Sequence, residues 1–248
     1  MRAIILAAGV GRRLAPLTDH QPKCLLPVGG RSLLERMLAA LDALAIPEAL
    51  LVVGHCQERI RARIGPRFGA VAVRYVENPE YLKGSLTSLW SARMALTGHC
   101  LIMDADVLFP TELLNRLVES RAESALLLDR SFTDTGEEVK LYAAGPRVVA
   151  MGKKTVPPPH DVVGEGVGFF KCGQAHTRAL VACLAETRQE AGDGSEYEDA
   201  LNRLLGRVEV SWVDVAGLSW AEVDFPEDLR HAEREILPRI QAAEHGAG

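Results

Sequence analysis

The chain has 248 residues, is 48% hydrophobic and carries a formal net charge of −5, from 28 basic and 33 acidic residues. This length and hydrophobic content predict a single domain over residues 1–248 with a sizeable core. The acidic balance argues against a general nucleic-acid binder, which normally has a basic excess. No apolar run approaches the ~20 residues of a membrane helix, so we expect neither nucleic acid nor a membrane as a partner.

The five cysteines, at positions 24, 56, 100, 172 and 183, form no C-x-x-C pair. An odd number of scattered cysteines is typical of reduced thiols. The apolar run in MRAIILAAG is too short for a signal peptide, and we therefore expect a cytoplasmic protein. The sequence does not fix the oligomeric state, and a homodimer is one state that it allows.

Apolar strands and amphipathic helices alternate along residues 1–130. The predicted elements are strand 2–8, helix 32–45, strand 49–54, helix 57–64, strand 71–77, helix 85–96, strand 99–106, helix 110–122 and strand 124–130. Near-continuous apolar strands alternating with helices predict an α/β fold, a Rossmann-like, doubly wound and mostly parallel sheet with helices on both faces. Ligands bind such sheets outside the carboxyl ends of the strands.

The alternation ends after residue 131. The sequence predicts a small β-hairpin around Gly145-Pro146, a strand over 166–172, helices over 174–190 and 196–206, a strand over 208–215 and a C-terminal helical extension that starts at Pro226. The proline-rich segment 155–166 predicts a mobile loop, and residues 242–248 predict a frayed tail.

A turn with two glycines and two arginines follows the first strand. Gly9 and Gly11 let the backbone approach a ligand and leave N–H groups free for phosphate. Arg12 and Arg13 add guanidinium groups, whose shape matches phosphate oxygens, and Lys23 follows after a proline. The pattern indicates a polyanion site, and a tight turn with solvated arginines is the alternative.

Two better-known phosphate-binding loops do not fit this turn. A dinucleotide fingerprint needs a third glycine where this chain has Leu14, and no acidic residue ends the second strand, where Gly54 and His55 stand. A P-loop needs G-x-x-x-x-G-K followed by Ser or Thr, which does not occur. The sequence therefore argues against a dinucleotide-dependent oxidoreductase.

Two pairs of carboxylates share an i, i+2 spacing. Asp104 and Asp106 end a predicted strand and should point the same way, and Glu222 and Asp224 precede the last helix. Hard divalent cations such as Mg²⁺ prefer oxygen ligands of this kind. If the two segments converge they predict a Mg²⁺ site, and a solvated strand end or a helix cap is the alternative.

The segment LAAGVGRRLAPLT…PKCLLPVGG resembles the N-terminal signature of the sugar-phosphate nucleotidyltransferases. GSLTSLWSAR, LIMDADVLF, EGVGFFK, EYEDALNRLL and GLSWAEVDFPEDLRHAE resemble the branch of choline-phosphate cytidylyltransferases, with relatives that act on inositol phosphate and aminophosphonates. One departure is Lys83-Gly84, where the choline-phosphate enzymes often carry paired Asn.

The resemblance implies a role for each candidate residue. It implies that Arg13 and Lys23 are catalytic, that residues 1–130 form a nucleotide-binding half, and that residues 131–241 form an acceptor-binding half. Asp106 and Asp224, supported by Glu222, would hold Mg²⁺. The expected nucleotide-binding residues are Leu6, Ala7, Ala8, Gly9, Gly11, Arg12, Gly84, Ser85, Ser88 and Asp104, although Ser85 is also a plausible helix cap. The expected acceptor-binding residues are Lys140, Lys153, Glu196, Tyr197, Asp199 and Trp220, of which Tyr197 and Trp220 also suit the core.

The implied activity is Mg²⁺-dependent nucleotidyl transfer from CTP to a small phosphorylated alcohol or phosphonate, such as phosphocholine, aminoethylphosphonate or inositol phosphate. Pyrophosphate is the second product. One alternative is a sugar-1-phosphate nucleotidyltransferase that uses UTP, dTTP or GTP. Another is a regulatory domain that binds a nucleotide without catalysis, although this chain retains the arginine, the lysine and both acids.

Overall fold

The computed structural model describes residues 1–190, 192 and 194–246. Its strands are β1 (Arg2–Ala7), β2 (Pro27–Val28), β3 (Arg31–Ser32), β4 (Glu48–Val53), β5 (Arg67–Phe68), β6 (Val71–Glu77), β7 (Cys100–Asp104), β8 (Val107–Leu108), β9 (Ala125–Asp129), β10 (Lys140–Ala144), β11 (Arg147–Gly152), β12 (Val162–Cys172), β13 (Ser211–Asp214) and β14 (Ala221–Glu222). Its α-helices are α1 (Leu33–Ala43), α2 (Gln57–Ile64), α3 (Ser85–Ser91), α4 (Thr111–Glu119), α5 (Thr177–Glu190), α6 (Tyr197–Leu205), α7 (Pro226–His231) and α8 (Leu237–Gly246).

One large sheet runs through both halves of the chain, in the spatial order β10-β11-β13-β9-β12-β7-β1-β4-β6-β5. The strands β7, β1, β4 and β6 are parallel, as the alternation of the first 130 residues predicts. β12 runs antiparallel between β7 and β9. The sheet is therefore parallel from β7 to β6 and mixed from β10 to β12.

The sheet is covered on both faces because side chains of its strands alternate between two cores. Ala3 and Ile5 of β1 belong to a cluster under α1, α2 and α4, whereas Ile4 belongs to a cluster under α3, α5 and α6. The predicted helix start at Ser32 is confirmed, since Ser32 and Glu35 form a capping box. Among the described residues, no helix is long and apolar enough to cross a membrane.

Three segments differ from the expectation. The helix predicted over 85–96 ends at Ser91 and continues as a 3₁₀ turn over Arg93–Ala95. The segment 155–166 is not all loop, because β12 begins at Val162 and pairs with β10 and β9. The predicted tail is helical to residue 246, and its last two residues lie outside the described residues.

Candidate active site

Two very short strands join distant parts of the chain. β14 pairs antiparallel with β8, and the N–H of Val223 donates to the carbonyl of Asp106 at 3.0 Å. A third, smaller hydrophobic cluster includes Leu108 of β8 and Val223, next to β14, and so stabilises this pairing. Its buried members are Leu14, Leu26, Val28, Leu33, Leu108, Val223, Ala232, Ile236, Leu237 and Ile240. The glycine turn at residues 9–11, the loop that carries Lys23 and the segment before α7 therefore meet at one edge of the sheet.

Three carboxylates meet at this edge. One oxygen from each of Asp106, Glu222 and Asp224 lies within 4.8 Å of the other two. The Oδ1 atom of Asp106 is buried and has no hydrogen-bond partner among the described residues. A divalent cation that prefers oxygen ligands would satisfy this atom, so the three residues fit a metal site.

Two basic side chains contact the same acids. The ammonium of Lys23 lies 2.8 Å from Oδ2 of Asp106 and also pairs with Oδ1 of Asp224, and its side chain is only 12% exposed. The Arg13 guanidinium lies 3.1 Å from Oδ2 of Asp224 and 5.1 Å from the centroid of the Phe225 ring. The predicted catalytic pair and the two predicted metal-binding aspartates therefore lie in one cluster: Arg13, Lys23, Asp106 and Asp224.

The charges in this cluster shift each other's pKa. Burial alone would lower the pKa of Lys23, but Asp106 and Asp224 together raise it above its ordinary value. Although burial opposes its ionisation, the pKa of Asp224 lies below its usual range because Lys23 and Arg13 are close. The Glu222 side chain is exposed at the wall of the cleft, yet partial desolvation of its carboxyl and the adjacent Asp106 and Asp224 raise its pKa to about 8.

Asp104 is not part of the group of three carboxylates. β7 ends at Asp104, so the strand geometry expected for both aspartates stops before Asp106. The carboxylate of Asp104 accepts a hydrogen bond from the Tyr197 hydroxyl at 2.8 Å. It also lies against Gly168, where an added Cβ would lie 3.1 Å from Cγ of Asp104 and closer still to Oδ2, so a side chain at this position would clash with the carboxylate. Burial and the nearby Asp106 raise the pKa of Asp104 well above its ordinary value.

The backbone of the glycine turn is open on one side and packed on the other. Gly9 is exposed, and a side chain there would meet no atom within 4 Å. Gly11 has a φ of +67°, and its carbonyl accepts a hydrogen bond from Thr18 at 2.8 Å. An added Cβ on Gly11 would lie 3.1 Å from Cβ of Lys23. The turn therefore packs on the lysine stem and presents Gly9 to solvent, beside the exposed Arg12.

The start of α3 is joined to the start of α6. The N–H of Ser85 donates to the Glu196 carboxylate at 3.0 Å, and the N–H of Tyr197 donates to Oγ of Ser85 at 2.9 Å. The Ser88 hydroxyl is buried and accepts a hydrogen bond from the Asn78 amide at 3.0 Å. Both predicted base-contacting hydroxyls are thus engaged by the protein as acceptors and retain one O–H donor each.

Most of the predicted acceptor-binding residues are engaged in local contacts. Asp199 completes a capping box at the start of α6 by accepting from the N–H of Glu196 at 3.3 Å. The Lys140 ammonium pairs with Asp134 at 2.6 Å. Lys153 lies 3.9 Å from Glu137, and the Trp220 indole N–H donates to Asp129 at 2.8 Å.

A cavity of about 560 Å³ opens beside the cluster of three carboxylates. Among the residues that line it are five acids and three aromatic residues: Glu137, Glu138, Glu165, Glu222, Asp224, Phe132, Trp220 and Phe225. Burial, Glu138 and Asp129 raise the pKa of Glu165 to about 7. The cavity is therefore acidic and partly aromatic, which suits a small cation.

Sequence reasoning missed several acids of this region, among them Glu165 and Glu198. Glu165 stands in β12, and an acid within an otherwise apolar strand was the available signal. Glu198 lies between the predicted Tyr197 and Asp199, and its Oε2 atom is buried without a partner among the described residues. Burial, with Glu196 and Asp199 nearby, raises the pKa of Glu198 to about 7.

Relatives with curated names share most of this chain. It is 30% identical over 259 residues to the CMP-5'-(3-aminopropyl)phosphonate synthase of Streptomyces rubellomurinus, covering 99% of this chain and 41% of that protein. It is 32% identical over 240 residues to the bifunctional IPC transferase and DIPP synthase of Rubrobacter xylanophilus, covering 95% and 52%. The chain thus spans about half the length of these two relatives. It is 28% identical to the 2-aminoethylphosphonate cytidylyltransferase of Lancefieldella rimae, covering 98% of this chain and 92% of that protein.

Solved structures share the fold. The inositol-1-phosphate CTP transferase from T. maritima has a TM-score of 0.77 at 21% identity, covering 97% of this chain and 96% of that one. The CTP:phosphocholine cytidylyltransferase from Streptococcus pneumoniae has a TM-score of 0.74 at 23% identity, covering 95% and 98%. The resemblance drawn from the motifs is confirmed by a family match over residues 3–147, and this chain belongs to the family of the MobA-like NTP transferase domain.

Proposed function

We propose that this protein is a Mg²⁺-dependent cytidylyltransferase that joins CTP to a small phosphate or phosphonate carrying a positively charged amine, with release of pyrophosphate. The observation that carries the proposal is the cluster of Arg13, Lys23, Asp106, Glu222 and Asp224 beside an acidic cavity. The five free thiols favour action in the reducing cytoplasm.

The proposed reaction forms one bond to the α-phosphorus of CTP and breaks another. An acceptor oxygen attacks that phosphorus, and the bond to the bridging oxygen breaks, so that pyrophosphate leaves with the electron pair. A phosphate monoester has its second pKa near 6, so the attacking oxygen is already ionised at neutral pH. Proton removal therefore contributes little, and the task is to bring anions together.

The basic side chains of the cluster suit that task. Arg13 is about half exposed at the mouth of the cleft, where its guanidinium can bind the β- and γ-phosphates and the leaving pyrophosphate. Lys23 lies deeper and is placed to neutralise the α-phosphate and the attacking oxygen. Mg²⁺, when held by Asp106, Asp224 and Glu222, supplies further charge neutralisation and orients the triphosphate. Loss of one such group typically costs on the order of 100-fold or more in rate.

The acidic cavity favours an amine on the acceptor. Glu137 would repel a second anionic group, and a bound ammonium would favour the ionised forms of Glu165 and Glu222, whose pKa values are raised to about 7 and about 8. The Trp220 ring adds a face for cation–π contact. An uncharged polyol such as an inositol phosphate gains no Coulomb energy from these acids. Two of the three curated relatives named above are likewise named for aminoalkylphosphonates.

The names of relatives and the positions of polar groups support CTP as the nucleotide. The names of the aminophosphonate relatives contain CMP or cytidylyl, and the two solved structures described above are named for CTP. We place the base against the backbone of Leu6–Ala8 and Gly9, near the hydroxyls of Ser85 and Ser88. Sugar-1-phosphate nucleotidyl transfer with UTP, dTTP or GTP is the alternative outcome of the test.

The test measures pyrophosphate release with Mg²⁺ and each of CTP, UTP, GTP and dTTP. The acceptors are 2-aminoethylphosphonate, phosphocholine, inositol 1-phosphate and glucose 1-phosphate. Propylphosphonate is the matched control with an uncharged tail, because a methyl group replaces the ammonium of 2-aminoethylphosphonate. We expect CTP with an amine acceptor to be turned over best, and Glu165→Gln to reduce the preference over propylphosphonate. Turnover with glucose 1-phosphate alone would refute the acceptor assignment.

A further inference from the structure

We propose that Lys23 and the divalent cation compete for Asp106 and Asp224, so that nucleotide binding opens the metal site by drawing the lysine ammonium onto phosphate. The inference rests on the metal site of the proposed function. It makes binding of the metal and of the nucleotide mutually dependent, and it gives Lys23 a second role besides contact with the reacting phosphates.

The ion pairs of the cluster carry this inference. Lys23 engages Oδ2 of Asp106 at 2.8 Å and Oδ1 of Asp224, while Arg13 engages Oδ2 of Asp224 at 3.1 Å. Three of the four carboxylate oxygens of these two aspartates thus already face a cation. The fourth, Oδ1 of Asp106, is buried and has no hydrogen-bond partner among the described residues. A divalent cation that bound both aspartates would therefore be repelled by the Lys23 ammonium and would have to displace it.

Lys23 can leave the two aspartates only if its ammonium group moves, because its stem is held in place. Its side chain is 12% exposed, and Gly11 packs against its stem. The next residue, Cys24, is buried and belongs to the core under α1. The ammonium must therefore remain in the cleft and exchange one anionic partner for another. A bound triphosphate offers such partners, and by linkage the nucleotide and the metal then raise each other's affinity by the same factor.

The test titrates Mn²⁺, followed by EPR, into the nucleotide-free protein. Lys23→Met removes the charge and keeps much of the stem, and Lys154→Met is the matched control, because Lys154 is exposed and has no ion pair with the three acids in the described structure. We expect Lys23→Met to bind Mn²⁺ about tenfold more tightly than the wild type, within the usual range of coupling between two ligands. The control should stay within about twofold.

A second titration, in the presence of a non-hydrolysable CTP analogue, measures the coupling itself. The analogue should strengthen Mn²⁺ binding by the wild type, and this gain should shrink in Lys23→Met. Asp106→Asn, added to Lys23→Met, should abolish the tight binding. Mn²⁺ binding by Lys23→Met that is unchanged or weaker, in a variant that melts cooperatively, overturns the inference, and so does tight binding that survives Asp106→Asn. Pyrophosphate release by the wild type tests the proposed function separately.

Discussion

The contact between the starts of α3 and α6 gives a sharp prediction for Gly84→Ala. Gly84 has a φ of +96°, which an alanine adopts only with strain. A Cβ at this position would lie well inside van der Waals distance of the Ser195 carbonyl oxygen and 2.9 Å from the carbonyl carbon of Gly194. These are backbone atoms, which cannot rotate away, so the two helix starts must separate.

The cost has two parts. The positive φ of Gly84, with a ψ of 165°, contributes about 1–2 kcal/mol of strain for a residue with a side chain. Separation breaks four hydrogen bonds between the two segments: from the Ser85 N–H to Glu196, from the Tyr197 N–H to Ser85, from the Leu86 N–H to the Ser195 carbonyl and from the Gly194 N–H to the Lys83 carbonyl. Each is worth about 0.5–1.5 kcal/mol, so the total loss in free energy of unfolding is about 3–8 kcal/mol.

Gly217→Ala is the matched control, because Gly217 has a similar φ of +87° and no atom within 4 Å of an added Cβ. It should lose only the strain, about 1–2 kcal/mol. Urea unfolding followed by circular dichroism measures both variants. If Gly84→Ala loses no more free energy of unfolding than Gly217→Ala, the close approach of α3 and α6 is not what this glycine accommodates.

Three further predictions concern the cleft. Arg13→Ala should lower kcat/KM about 100-fold or more at an unchanged melting temperature, because its side chain is 48% exposed; near-wild-type pyrophosphate release would remove Arg13 from catalysis. Tyr197→Phe should lose about 1–3 kcal/mol in urea unfolding, since it removes the hydrogen bond to the buried Asp104 carboxylate; full retention of stability would refute this. The pKa of Glu165 is raised from 4.5 to about 7 in the fold, so the native state binds the extra proton, and stability should fall as the pH rises through this window. Glu165→Gln should lack that part of the decline, and parallel curves for the two proteins would contradict the raised pKa.

The first half of the fold and the hairpin at Gly145 could be predicted because their signals are local. Apolar strands, the capping box at Ser32 and the turn at Gly145 each depend on a few neighbouring residues, and each is confirmed. The path of β12 could not be predicted in the same way. Its first residues follow three prolines and read as a loop, but pairing with β10 and β9 makes them a strand. Such pairing is decided by distant residues.

The acids show the same limit at the site. Glu196 and Asp199 have the composition of an amine-binding segment, yet each accepts a backbone N–H at a helix start. Short-range hydrogen bonding to backbone competes with ligand binding for such residues, and composition cannot decide between the two. Glu165 lies in the acidic cavity because β12 carries it there, and no spacing in the sequence links it to Glu222 or Trp220.

The cluster of three carboxylates depends on residues outside the family match. That match ends at residue 147, whereas Glu222 and Asp224 come from the segment before α7. β8 and β14 are two residues long, too short for a stable pairing alone. The cluster of Leu14, Leu237 and their buried neighbours supplies the missing stability, since each fully buried leucine contributes about 1.5–3 kcal/mol. Asp228 of α7 accepts a hydrogen bond from the N–H of Asp224 at 2.9 Å, and the C-terminal helices pack under β14, so together they hold Asp224 against Lys23. The apolar face of these helices is therefore as much a requirement of the site as the glycine turn.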